Sequence, residues 1–208
     1  MDSQINAAMT TRLDLRFPTL IAAVALVAST NPQLAALDLT PRQSVRKLEQ
    51  FNVPVVLFED GARTVRWQPP AGWQLNTVGR ALTFFPPKSA VATARLELGP
   101  AHALATATGD APLAWAQGHL PKTATEIALT AERENPFSLS GLPSKERIYA
   151  YRVGDQRLTT SVAYVDLNQR ESLALVVTAL ATDFESIHTE AIASMFSWNW
   201  LEPEGRQE

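Results

Sequence analysis

Cysteine is absent from this chain of 208 residues. That excludes disulfides, thiolate catalysis, cysteine-ligated zinc, iron–sulfur clusters and a cysteine-anchored lipid. A basic excess is missing too: 18 Lys and Arg stand against 21 Asp and Glu, a formal charge of −3 with no Lys/Arg block. Nucleic-acid binding, which calls for a basic surface, has no electrostatic ground here. No apolar run is long enough to span a bilayer comfortably; Phe17–Ala28, about a dozen residues, falls short of the ~20 needed. Gly-x-Ser-x-Gly does not occur, and Ser138-Leu-Ser140-Gly141 reads as a turn. Neither a Walker loop nor a dinucleotide fingerprint is formed by the glycines. No cofactor is implied.

What remains is a globular composition, 46% hydrophobic and 19% charged. Residues 1–36 read as a signal peptide or N-terminal leader. Arg12 and Arg16 precede the apolar Phe17–Ala28, and cleavage fits after Ala35 or Ala36. Residues 37–208 then form a single α+β domain, and the expected location is periplasmic or secreted, with no membrane span after cleavage.

Three strand-like runs dominate the last third: Arg147–Val153, Leu158–Val165 and Leu173–Ala179 with Leu180. Turns at Gly154-Asp155 and Asn168–Arg170 make them an antiparallel meander. A helix from Thr182 to Phe196 follows, with Thr182 and Glu185 as a capping box. Phe184, Ile187, Ala191, Ile192, Met195 and Phe196 form its apolar stripe, while Ser194 sits with the polar positions. The stripe predicts a helix laid across the meander.

Earlier in the chain, Thr40, Pro41 and Gln43 predict a short helix to about Gln50, with Val45 and Leu48 on one face. Val55–Phe58 and Arg63–Trp67 flank Asp60-Gly61, a hairpin signal. A second pair, Trp73–Val78 and Arg80–Phe85, turns at Gly79, and Ala92–Leu98 alternates again. Asp110 caps a helix carrying Leu113, Ala116 and Leu120. Thr125–Ala131 reads as a strand, and Phe137–Leu139 as a short edge strand.

Pro70-Ala-Gly72-Trp73, Leu173-Ala-Leu-Val-Val-Thr-Ala179 and the close Ser194-Met-Phe-Ser-Trp198 occur in this order around the meander. In that arrangement the chain resembles the PsbP-like superfamily, which includes photosystem II lumenal extrinsic proteins, a nuclear Ran-binding factor and bacterial exported DcrB-like proteins. The resemblance implies an antiparallel β-sheet covered by α-helices, an α/β/α sandwich, and non-enzymatic binding or assembly. It brings no catalytic residues. Bacterial members are often lipoproteins, and this chain departs from them in having no lipobox cysteine.

Candidate site residues are few. His188 falls inside the apolar stripe and reads as a semi-buried histidine bonded to a strand; a metal or pH-sensing role is the alternative. Glu185-Ser-Ile-His188 matches the Glu-x-x-His spacing of di-iron helices, but the partner helices such a site needs are missing. His102 and His119 show no spacing that predicts convergence on a metal. Glu132 and Glu134 share a strand face and read as solvated rather than as paired glycosidase carboxylates. Trp198 and Trp200 share a face of a closing strand, as core anchors or, if exposed, as a sticky edge.

The expectation is therefore an exported, cofactor-free binding or assembly protein whose partner is another envelope protein. The small, polar side of Leu158–Val165, around Thr160 and Ala163, is the expected docking face. Capture of a small apolar ligand between sheet and helix is a second reading, and a periplasmic hydrolase without a recognisable motif a third.

Overall fold

Tight glycine turns set the register of the strands. In the computed structural model, which describes residues 37–201 except 62, 88 and 102–110, Gly61 and Gly79 adopt φ of +62° and +60°. The predicted leader, His102 and the cap Asp110 lie outside the described residues. Gly61 lies in the turn closed by Asp60↔Arg63, and Gly79 in the turn closed by Val78↔Ala81. A side chain at either φ meets its own backbone. Gly79 has no neighbour within 4 Å of an added Cβ. Gly79→Val should therefore cost backbone strain alone, about 1–2 kcal/mol, read as a lower urea midpoint with unchanged slope.

Two antiparallel sheets result. Strands β1 (Leu37–Leu48), β2 (Phe51–Asp60), β3 (Arg63–Trp67) and β11 (Asn199–Leu201) form the first, in the order β1-β2-β3-β11. Strands β4 (Gln74–Val78), β5 (Ala81–Phe85), β6 (Thr93–Pro100), β7 (Thr125–Glu134), β8 (Ser144–Val153), β9 (Gln156–Asp166) and β10 (Glu171–Leu180) form the second, in the order β4-β5-β6-β10-β9-β8-β7. The meander read from the sequence is its β8-β9-β10 half, paired antiparallel throughout. β10 lies at the centre and is buried on both faces, which accounts for its unbroken apolar run.

The inner face of the large sheet carries Leu173, Leu175 and Val177, which pack on Phe58, Val65 and Trp67 of the small sheet. Helix α2 (Phe184–Met195) shares that face, over β9 and β10. On the outer face, Tyr149, Tyr151, Val162 and Val176 pack under Ala116 of helix α1 (Ala111–Gln117) and Leu120.

The expected α/β/α sandwich is thus corrected. Among the described residues the protein is mostly antiparallel β-sheet with two short helices, and a second sheet does most of the covering on the inner face. Dimensions explain it. Twelve helical residues reach about 18 Å, while seven strands side by side span roughly 30 Å. A helix of that length cannot bury such a face.

The predicted helix at 40–50 is likewise a strand. Its backbone groups are satisfied by β2 along a ladder from Leu37↔Asp60 to Leu48↔Phe51. Pro41 is tolerated because the register shifts between Asp38 and Arg42, where the proline breaks no ladder bond. Thr40 supplies no cap; its N–H donates to Asp38 Oδ1 at 2.9 Å. Nor is Phe137–Leu139 a strand, since only an isolated bridge joins Leu139 to Leu142.

Helix α2 departs from its predicted cap and part of its stripe. Asp183 is the N-cap residue, in helical conformation and making no side-chain cap bond, while Thr182 Oγ1 donates to Asp183 Oδ1. Glu185 is exposed. Ser194 is buried because its hydroxyl donates back to Ala191 O at 2.7 Å, so it carries its own acceptor inward. Phe196 lies past the last helical turn and is 66% exposed.

Candidate functional site

His188 meets a partner that sequence reasoning missed. Glu146 of β8 is in phase with the inward Ile148, so its carboxylate points under α2. His188 Nε2 and Ser161 Oγ both lie 2.5 Å from Glu146 Oε1, and Arg133 Nη1 is 3.5 Å from Oε2. Phe184 stacks on the imidazole at 5.0 Å. Glu146 and His188 are only 1% and 4% exposed. The available signal was a carboxylate on the apolar phase of a strand.

Burial raises the Glu146 carboxyl pKa. The hydrogen bonds from His188 and Ser161 and the positive charges of His188 and Arg133 outweigh that, leaving it below the usual carboxylate range. Serine, carboxylate and histidine meet, but in the wrong order for acyl transfer. The carboxylate stands between the other two, so the imidazole is not placed to take the serine proton. The cluster ties α2 to β8 and β9. Glu185 takes no part in it and is exposed to solvent.

The remaining candidates are scattered. His119 Nδ1 sits 2.8 Å from Glu97 Oε1 on the opposite face of the large sheet. Glu132 and Glu134 are exposed and pair with Arg147 and Lys145. Among the described residues no group of three or more His, Cys, Asp or Glu could hold a metal. Among the same residues no helix is long and apolar enough to cross a membrane.

Trp198 is buried, its ring 5.6 Å from Phe58 and 6.0 Å from Trp200. Trp200 is half-buried and its Nε1 donates to Asp60 Oδ2 at 2.9 Å. Both rings serve the contact between β11 and the rest of the small sheet, and neither forms an exposed edge.

The expected docking face is corrected. Thr160 and Ala163 are fully buried. Thr160 Oγ1 links Tyr151 Oη (2.9 Å) and Thr178 Oγ1 (2.8 Å) in a hydroxyl chain roofed by α1. Small polar side chains here serve close strand packing. Beneath α2, Phe184, Ile187, Ala191 and Met195 fill the core, and the clefts along this helix open on its solvent flank.

The open surface lies at the edges of the two sheets. β1 and β4 are edge strands that approach without pairing. Between them runs a cleft of about 640 Å³, walled by Gln43 to Val45, Pro54, the Pro69–Gly72 turn, Trp73 and Leu75. Beyond it the β1–β2 hairpin continues past the end of β3, which pairs β2 only from Val56 onward. Two sides of this ribbon are solvated. Phe51 is 73% and Val45 57% exposed, and Leu48 is exposed as well. On the outer side of the sheet, Arg46, Arg66 and Phe196 line a further depression of about 310 Å³. Arg42 pairs with Glu59, whereas Arg46 has no acidic partner among the described residues.

No protein-family model matches this chain, and no curated protein does. Solved structures are similar in fold. Cyanobacterial PsbP (CyanoP) from Synechocystis sp. PCC 6803 has a TM-score of 0.45 at 9% identity, covering 84% of this chain and 98% of its own. The Ran-binding protein Mog1p of Saccharomyces cerevisiae gives 0.44 at 11%, covering 77% and 96%. A Pseudomonas aeruginosa protein of unknown function, PA94, gives 0.43 at 12%, covering 79% and 99%. The likeness is one of chain path, and what these proteins bind stays with them.

Proposed function

We propose that the chain is an exported, cofactor-free binding protein of PsbP-like fold that docks on another envelope protein through the β1–β2 hairpin and the adjoining cleft. One observation carries this reading: Phe51, Leu48 and Val45 stand exposed on a ribbon at an open sheet edge. Unpaired strand edges and clustered apolar side chains attract other chains, so a surface combining both calls for a partner. The Glu146–His188–Ser161 cluster supports a non-enzymatic role, because all three side chains are buried. Arg12 and Arg16 ahead of Phe17–Ala28 support export.

The test places a photo-crosslinking amino acid at Phe51 and, as a control, at Ile127, an exposed apolar residue of the far edge strand β7. Irradiated cells should give a discrete adduct in envelope fractions from position 51 and none from 127. Equal labelling from both positions, or none from 51, would remove the hairpin as a docking surface.

A further inference from the structure

We propose that the free edge of β1 accepts an extended partner segment in which acidic and apolar residues alternate. This rests on the binding reading above and gives the partner a chemistry. Pro54 faces Val45 across the ladder. Proline has no N–H to donate, so this is a non-hydrogen-bonded pair, and a two-residue turn closing on Leu48↔Phe51 gives the same phase. Gln43, Val45 and Lys47 therefore turn their backbone N–H and C=O groups away from β2, towards the free edge. They form one side of an unfilled antiparallel or parallel ladder, some 20 Å long over six residues.

The side chains on this edge set the partner's pattern. Gln43, Val45 and Lys47 stand on the cleft side, where Val45 faces the wall of Pro54, Trp73 and Leu75. Arg42, Ser44 and Arg46 stand on the opposite side. A strand added to β1 places alternate residues beside these two sets. Apolar side chains fit against Val45 and enter the cleft; acidic ones fit beside Arg46, whose guanidinium is unpaired among the described residues. Opposite charges on facing strands stabilise a pair, and like charges directly opposite destabilise it.

The same rule argues against pairing of β1 with β1 of a second copy. β1 carries Arg42, Arg46 and Lys47 against a single acid, Asp38. Pairing β1 with itself would set these cations against their own kind. Basic edge residues thus disfavour β1–β1 pairing while admitting an acidic strand.

The test uses the full chain and a capped, fluorescein-labelled peptide of alternating glutamate and valine, followed by anisotropy. Saturable binding is expected, weakened roughly tenfold or more by Arg46→Glu and by Val45→Pro. Val45 makes no ladder bond to β2, so proline there removes an edge donor and leaves the hairpin intact; an unchanged urea midpoint checks this. If that variant unfolds, peptides N-methylated on alternate amides replace it: one set should lose binding and the other keep it. A lysine–valine peptide should not bind. The proposal falls if neither peptide binds, if binding ignores Val45→Pro and both methylated sets, or if Val45→Pro instead changes the oligomeric state of the chain. Position-51 adducts in cells that persist when the peptide fails leave the binding reading standing and sink the edge assignment alone.

Discussion

Glu146→Ala is expected to lower the unfolding free energy by about 3–5 kcal/mol, the scale for removing one member of a buried, hydrogen-bonded ionic cluster. Ser161 Oγ and His188 Nε2 would both lose their shared acceptor in a site closed to water. Urea unfolding at pH 7 measures it, and a loss under 1 kcal/mol would show that the cluster is not a strut. Glu146→Gln separates charge from shape and should cost less. The pH dependence carries a definite sign. The folded carboxyl titrates below its ordinary value of 4.5, so its stabilisation is complete above that value. It is lost as pH falls through the lower folded value. Unfolding midpoints should therefore drop on acidification below about pH 4.5. Glu146→Gln should shallow that drop without abolishing it. Glu97 remains, and its carboxyl also lies low: burial raises it, and the His119 hydrogen bond with the His119 and Arg95 charges outweighs that.

Phe58→Ala should be nearly as damaging, about 3–5 kcal/mol. Its ring is fully buried, 6.0 Å from Trp67 and 5.6 Å from Trp198, so it touches both the middle of the small sheet and the approach to β11. Truncation opens a void between two indoles. Tryptophan fluorescence should shift to the red and near-UV dichroism weaken, alongside the lowered urea midpoint. A variant with native spectra and a loss below 1.5 kcal/mol would mean that the two sheets are held elsewhere. Phe58→Leu keeps most of the volume and should cost less.

Strands bounded by glycine turns were legible because their signals are local. Asp60-Gly61, Gly79 and Gly154 each mark a real turn with positive φ. The alternation in Leu158–Val165 reported a strand, but period alone does not say whether the polar phase meets water or a second layer. Thr160 and Ser161 are both buried, on opposite faces of one strand. The capping box at Thr40–Gln43 misled for the converse reason. A few tenths to about one kcal/mol of helix signal gave way to a long ladder with β2. That ladder depends on residues the local pattern does not contain.

The site divides in the same way. His188 was placeable from helical phase, but its carboxylate partner lies 42 positions away on a strand. Glu185, three residues before His188, is in solvent. Alternation sets Trp198 and Trp200 on one face, and their burial follows only from β11 joining the small sheet. The cleft between β1 and β4 had no sequence signature, since it arises from how two sheet edges approach.

β11 has one more consequence. The small sheet opens with β1 to β3 and is completed only when Asn199–Leu201 returns to β3, with Trp200 reaching Asp60 across 140 positions. A polypeptide emerging from the ribosome in order would therefore hold its first hairpins without a finished layer until β4 to β10 and α2 had been made. Contacts so distant in sequence are slow to close. The small sheet therefore stays incomplete until β11 has been made, whatever the order in which its hairpins close.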